Sequence, residues 1–352
     1  MKKILMSLLL AALLVIPALA QQPYTPGTAY LHLSPQVQQL LADLDVLKYA
    51  QHNSHAYFVN AYIGSTNNSG TLTAPYQLIQ TAVNAATSGR GDFVVLTPTD
   101  ATNYDDDVVS ASLTNAYVYV NKSNLTIVGM NSPSYGEAII KPGAAASVGI
   151  INLGAAADRV RLVNLSLDGT TAANELIQGT AGADYVTVER CRFYKGTKGI
   201  DAPGTCTSWM IKNNQFYDQT LSAIYGYFGG GRIQGNVFSS ITLSNSADID
   251  TLGVIRILDN TTTANSDGCL IIGNIILGGD ATAGSGSYNA ESGIRVAAAC
   301  LNVGVVSNMV AGCDTCLYGT AANGQYFMGN FGPDGSGGEY ADSEVNLLPL
   351  TP

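Results

Sequence analysis

Four acidic residues and two arginines recur at similar spacing in the C-terminal half of this 352-residue chain. Asp248 and Asp250 lie in the stretch SADID, and Asp280 and Glu291 in the next glycine- and serine-rich stretch. Arg256 and Arg295 follow the two pairs within six residues. Carboxylate oxygens are the ligands that Ca²⁺ takes, and a cation held there could polarise an acidic substrate beside an arginine. The plainer reading is that aspartates in Ser/Asn/Gly-rich turns cap backbone groups and that the arginines solubilise a face. SADID alone is no calcium motif, and the aspartate run in YDDDVV (104–109) fits a solvated turn. All three histidines, His32, His52 and His55, sit near the N-terminus. The remainder of the chain therefore offers no histidine for general-base work, a nucleophile triad or a zinc site.

What positions these residues is a repeat. The run IKNNQF (211–216) has a frame of Ile211, Asn214 and Phe216. The frame returns at Ile233/Asn236/Phe238, Ile271/Asn274/Ile276, Val305/Asn308/Val310 and Phe327/Asn330/Gly332. Upstream, Val188/Cys191/Phe193 and Leu162/Leu165/Leu167 fit with an apolar central residue, and Ile127/Met130 is a degenerate copy. Central-slot spacings from Leu165 onward are 26, 23, 22, 38, 34 and 22 residues. The short ones suit one turn of a β-solenoid, and the long ones suit the same turn carrying an insertion. Stacked coils lie about 4.8 Å apart. Asn214, Asn236, Asn274, Asn308 and Asn330 are then expected to form an amide ladder at corners where asparagine tolerates the left-handed backbone.

A second strand follows in each coil. Ile200, Ile224, Ile255, Ile294 and Leu317 line up as an inward column, and both insertions, near 239–251 and 278–292, fall in the turn before it. Alternation then places Asp201, Tyr225, Arg256, Arg295 and Tyr318 outward, with Tyr227 nearby. Rings spaced along such a face can stack on sugars, and arginines can pair with uronate or sulfate. An ordinary strand surface, where tyrosine is common, is the plainer alternative.

At the front, APYQLIQTAVNAATS (74–88) spaces Tyr76, Ile79, Ala82, Val83 and Ala86 as an amphipathic helix, about 75–87, ahead of a first strand at DFVVL (92–96). It would cover the open end of the solenoid. A second amphipathic helix, about 35–49, begins at Ser34-Pro35. From YFVNAYIGSTNNSGT (57–71) through DFVVLTP and NLTIVGMN (124–131) to the asparagine ladder, the chain resembles the right-handed parallel β-helix proteins of the pectin-lyase-like superfamily. The resemblance implies an all-β right-handed parallel β-helix over 57–335. It is specific for fold and open as to activity. Polygalacturonase-like members carry Gly-His-Gly and Arg-x-Lys motifs, and this chain has neither. A pectate-lyase-like mechanism would use Asp248, Asp250, Asp280 and Glu291 for Ca²⁺, with Arg256 or Arg295 drawing the C5 proton of a uronate.

Lys2 and Lys3, the apolar run Ile4–Ile16 and the exit Ala18-Leu19-Ala20 read as a secretory signal peptide over 1–20. A lead-in over 21–56 and a tail over 336–352 flank the β-helix domain. No later apolar segment is long enough to span a membrane. The formal net charge of −10 repels phosphate backbones, so nucleic acid is a poor partner. Of the six cysteines, only Cys313 and Cys316 in CDTC are spaced for a disulfide across a turn; the others are expected as buried small hydrophobes. These features favour an exported surface protein, and the resemblance to phage-encoded β-helix proteins with this type of entry sequence implies a virion-associated one. Its long face would bind a polysaccharide or cell-surface glycan without catalysis, as an adhesin, or pack into a homo-oligomer or larger assembly. The alternative is a polysaccharide lyase or glycoside hydrolase acting on acidic polysaccharide, with its cleft between the 239–251 and 278–292 loops and Ca²⁺ as cofactor. A spacer without any ligand is the third reading.

Overall fold

Runs such as Met210-Ile211-Lys212 and Gln215-Phe216-Tyr217 have one apolar centre between outward neighbours, so each can bury only a single side chain per strand. Burial becomes substantial only when many such strands stack. The computed structural model describes residues 54–97, 116–130, 138–141, 149–170, 175–241, 253–258, 266–278, 290–319 and 324–332. The expected signal peptide, the helix over 35–49 and the tail over 336–352 lie outside these residues.

Among the described residues the strands form three parallel sheets of ten, seven and eight strands. Sheet 1 runs from Ala56–Val59 to Tyr326–Met328, sheet 2 from Ile139–Ile140 to Met309–Ala311, and sheet 3 from Ala116–Val120 to Cys313–Tyr318. From Thr126–Gly129 to Cys313–Tyr318 each coil contributes one strand to each sheet in that order, and the end coils supply the extra strands of sheets 1 and 3. The inward columns are continuous and buried: Leu162, Val188, Ile211, Ile233, Ile271 and Val305 on sheet 1, and Ile177, Ile200, Ile224, Ile255, Ile294 and Leu317 on sheet 3. On sheet 2, Phe193, Phe216 and Phe238 stack with centroids 4.4 and 4.8 Å apart. Burying each ring contributes roughly 1.5–3 kcal/mol.

The two asparagines of IKNNQF do different work. Asn213 has φ 56°, and the equivalent residues Asn164, Arg190, Gly235, Gly273, Ser307 and Gly329 also have positive φ. The left-handed corner is therefore the residue before the ladder slot, not the ladder asparagine as the sequence suggested. At Gly235 a Cβ would sit 2.8 Å from Asn213 Oδ1, so a larger residue there would displace that side chain. The turn leaves the next side chain pointing inward, where Asn214, Asn236, Asn274, Asn308 and Asn330 stack, each at most 1% exposed. Each Nδ2 donates to the Oδ1 of the next, at 3.0, 3.0, 2.9 and 2.9 Å. Each Oδ1 also accepts a backbone N–H from the preceding coil, and each Nδ2 also donates to a carbonyl of that coil. Cys191, buried and neutral with its thiol pushed up to about 12 by burial, tops the stack.

The solenoid starts one strand earlier than the sequence suggested. Ala56–Val59 pairs with Phe93–Leu96, and Tyr76 bridges Val59 instead of opening the helix. The helix, α1, is shorter than expected, Ile79–Ala85, and buries Ile79, Ala82 and Val83. Asp92, fully buried, ties this end together. It accepts from the His55 and Thr87 backbone N–H groups at 2.9 and 2.7 Å and from Arg90 Nε at 2.6 Å. The first insertion begins later than the pattern suggested, since its preceding strand reaches Ile241, and the second ends earlier, since the next strand starts at Ala290. Cys313 and Cys316 are thiols, not a disulfide. They lie three apart on one strand, and both pack against the core, Cys313 Sγ beside Ala311 O and Cys316 Sγ beside Val310 O.

Candidate functional site

The outer face of sheet 3 carries a polar column in one register. Tyr119, Asn152, Gln178, Asp201, Tyr225, Arg256, Arg295 and Tyr318 are successive Cα partners in adjacent strands. The five predicted residues Asp201, Tyr225, Arg256, Arg295 and Tyr318 are thus brought together, over about 19 Å at the usual strand spacing. Tyr227 lies two residues beyond Tyr225 and pairs with Thr205 across a bulge, so it flanks the column. At that bulge Gly226 permits the close approach, because a Cβ would meet Ala202 O at 2.4 Å.

The column has a cationic half. Arg295 lies 4.0 Å from the centroid of the Tyr318 ring, and Arg256 5.3 Å from that of Tyr225. Lys198, which the sequence reading passed over, lies 4.3 Å from the same Tyr225 ring. All four of the tyrosine and arginine side chains are partly exposed. Guanidinium groups stack on aromatic faces and have a planar donor fork that matches carboxylate geometry.

The other half is acidic and covered. Asp201 is only 3% exposed, so the open acidic contact expected from alternation is not what the fold provides. Its Oδ2 accepts from Lys198 Nζ at 2.8 Å, and Glu175 Oε1 lies 4.0 Å from the same ammonium. Burial pushes the Asp201 carboxyl up against the pull of Lys198. Burial also raises Glu175, helped by the charge of Asp201 and opposed by Lys198. Among the described residues no hydrogen bond reaches Asp201 Oδ1 or Asn152 Oδ1, although Asn152 Nδ2 donates to Gln178 Oε1 at 3.0 Å. Carboxyls raised by burial and polar atoms left over in one column mark a candidate site. Lys198 and Glu175 carried no such signal in the sequence, because each lies two residues before an inward residue of sheet 3, Ile200 and Ile177, where strict alternation would turn it inward.

Asp248, Asp250 and Asp280 lie outside the described residues, as does the side chain of Glu291, so the calcium proposal has no geometry to test it. Arg256 and Arg295 are adjacent in register, and each immediately follows one of the two insertions. A groove of about 570 Å³ opens elsewhere, on sheet 2, lined by Asp168, Arg192, Tyr194, Gln215, Tyr217 and Ser239 among others. It contains none of the predicted residues. Among the described residues the sheet 3 column, with the neighbouring Lys198 and Glu175, combines raised acids, cations against rings and leftover polar atoms, which makes it the candidate site.

No protein-family model matches the chain, and no curated protein matches it in sequence. Solved structures do match. A pectin methylesterase from Erwinia chrysanthemi aligns at 10% identity over 86% of this chain and 93% of its own, with a TM-score of 0.51. The A-module of a mannuronan C-5 epimerase from Azotobacter vinelandii aligns at 16% identity over 72% and 71%, with a TM-score of 0.50. A pectin methylesterase in complex with a hexasaccharide aligns at 10% identity over 86% and 93%, with a TM-score of 0.51. At such identities the likeness speaks of architecture alone, and with the three parallel sheets it establishes that the chain folds as a right-handed parallel β-helix.

Proposed function

We propose that this protein binds an acidic polysaccharide along the outer face of sheet 3. The observation that carries the reading is the single register of Tyr225, Arg256, Arg295 and Tyr318, with each guanidinium held against a ring. On a chain of net charge −10, two adjacent arginines make a local exception that suits carboxylate or sulfate groups repeated along a linear polymer. The shared architecture adds support: the neighbours include a pectin methylesterase bound to a hexasaccharide and a mannuronan epimerase. An exported surface or virion-associated setting fits this role, as does the N-terminal charge and hydropathy pattern. Among the described residues no helix is long and apolar enough to cross a membrane.

A lyase is the second reading, favoured by the adjacency of Arg256 and Arg295 beside the two insertions. One assay separates the two. Purified protein is run through native gels containing polygalacturonate or alginate, and absorbance of unsaturated uronate is followed with Ca²⁺ or chelator. Retardation without product, lost in Arg295→Ala, is the expected result. Calcium-dependent product lost in Arg256→Ala or Arg295→Ala would replace binding with lyase chemistry, and neither retardation nor product would leave a spacer.

A further inference from the structure

We infer that the outer face of sheet 2 is a second glycan-binding strip, which takes the apolar C–H face of a pyranose against Tyr217. This inference stands independently of the sheet 3 reading. In one outward column Asp168, Tyr194, Tyr217 and Ser239 follow in register. Tyr194 and Tyr217 stack at 5.5 Å with an 11° interplanar angle, and they remain 40% and 45% exposed. The stack stops at Ser239, which is too small to cover the next ring face, and the groove of about 570 Å³ opens there. In the neighbouring column Arg192 Nε donates to Gln215 Oε1 at 3.0 Å. That pair sets amide and guanidinium groups at the edge of the ring platform, within reach of sugar hydroxyls. Ligand sites of this kind are mostly apolar with a few polar groups that fix orientation.

The shape of the strip selects the occupant. Toward the C-terminal coils the same face continues with Ile275, Leu277 and Met309, all at least 40% exposed. Short strands present only two outward residues each, so the strip is about 10 Å wide and about 24 Å long from Asp168 to Ala311. A footprint of about 240 Å² is far below the ~800 Å² per partner of a stable protein interface. A second copy would need more surface than this, whereas one linear glycan chain laid along the solenoid needs no more.

The test is titration calorimetry of the full chain with two probes, a neutral β-galactohexaose and hexagalacturonate, so that the source of the pyranose ring is resolved. Wild type is compared with Tyr217→Ala, Tyr217→Phe and Arg295→Ala, each checked for wild-type melting. The expected result is binding of the neutral hexaose weakened at least tenfold in Tyr217→Ala and kept in Tyr217→Phe, with Arg295→Ala lowering only the affinity for hexagalacturonate. An affinity for both probes unchanged in Tyr217→Ala overturns the inference, as does wild type that binds neither. Binding that emerges only on deletion of residues 333–352 would assign the strip to the protein's own C-terminal segment. Self-association abolished by Tyr217→Ala would assign it to a second copy. Either of these also overturns it.

Discussion

Two polar columns run along this solenoid with one residue per coil, and the fold treats them in opposite ways. In the asparagine ladder at the corner between sheets 1 and 2, the amide-to-amide contacts are 2.9–3.0 Å and every asparagine is buried. On the outer face of sheet 3, Asn152 and Asp201 keep an oxygen without a hydrogen bond among the described residues, and burial raises two carboxyls. A fully connected network holds structure, whereas a column with capacity left over costs stability and is retained where it meets something else.

The sharpest way to break the comparison is to remove one rung. Asn274→Ala takes the acceptor from Asn236 N–H and Nδ2 and the donor from Ile233 O and Asn308 Oδ1. Loss of these four buried hydrogen bonds should cost about 3–5 kcal/mol in urea unfolding. A loss under about 1 kcal/mol would mean that the ladder holds nothing.

The N-terminal clamp is a smaller version of the same kind of network. Burial would raise the Asp92 carboxyl, but hydrogen bonds from Arg90, Thr87 and His55 outweigh it and hold the carboxyl below its ordinary value. A depressed carboxyl contributes stability above the unfolded pKa of about 3.8 and loses it as pH falls through the folded value. Asp92→Ala should therefore cost about 2–3 kcal/mol near neutrality by stranding two backbone N–H groups, and the difference from wild type should shrink in acid melts.

Changes to the sheet 3 column should separate binding from stability. Tyr225→Ala removes the ring beside Lys198 and Arg256 and should cost only about 0.5–1 kcal/mol of stability, while polysaccharide binding falls about tenfold. The smallest effect is expected from Asp201→Asn. A carboxyl raised by burial stabilises the fold below its unfolded pKa and loses that contribution as pH rises through the folded value. The variant should thus match or exceed wild-type melting at pH 8 and show a flatter pH profile. A large destabilisation at pH 8 would make Asp201 a ladder-like residue and erase the contrast.

Most of the coil was legible in the sequence, because one inward residue per strand leaves a fixed frame such as Ile211/Asn214/Phe216, and stacking forces equivalent residues into register. The outward column followed by alternation from Ile224 and Ile255. What failed was whatever depends on a neighbour in another coil. Alternation gave the facing of Asp201 but not its cover, and nothing local in GID announces that Lys198 will reach it. The strand at Ala56–Val59 was missed because its partner, Phe93–Leu96, lies beyond the helix. The ladder corner was misplaced by one residue because Asn213 and Asn214 are the same amino acid.

The central claim is that Arg256 and Arg295 make the sheet 3 face a site for acidic polysaccharide. Titration of hexagalacturonate into wild type, Arg256→Ala and Arg295→Ala at 20 mM and 200 mM NaCl tests it most directly. The account predicts wild-type binding that weakens with salt and falls about 10- to 100-fold in either variant, as expected for loss of a charged hydrogen bond worth roughly 1.5–3 kcal/mol. Equal affinity in all three proteins, or none in wild type, would contradict it.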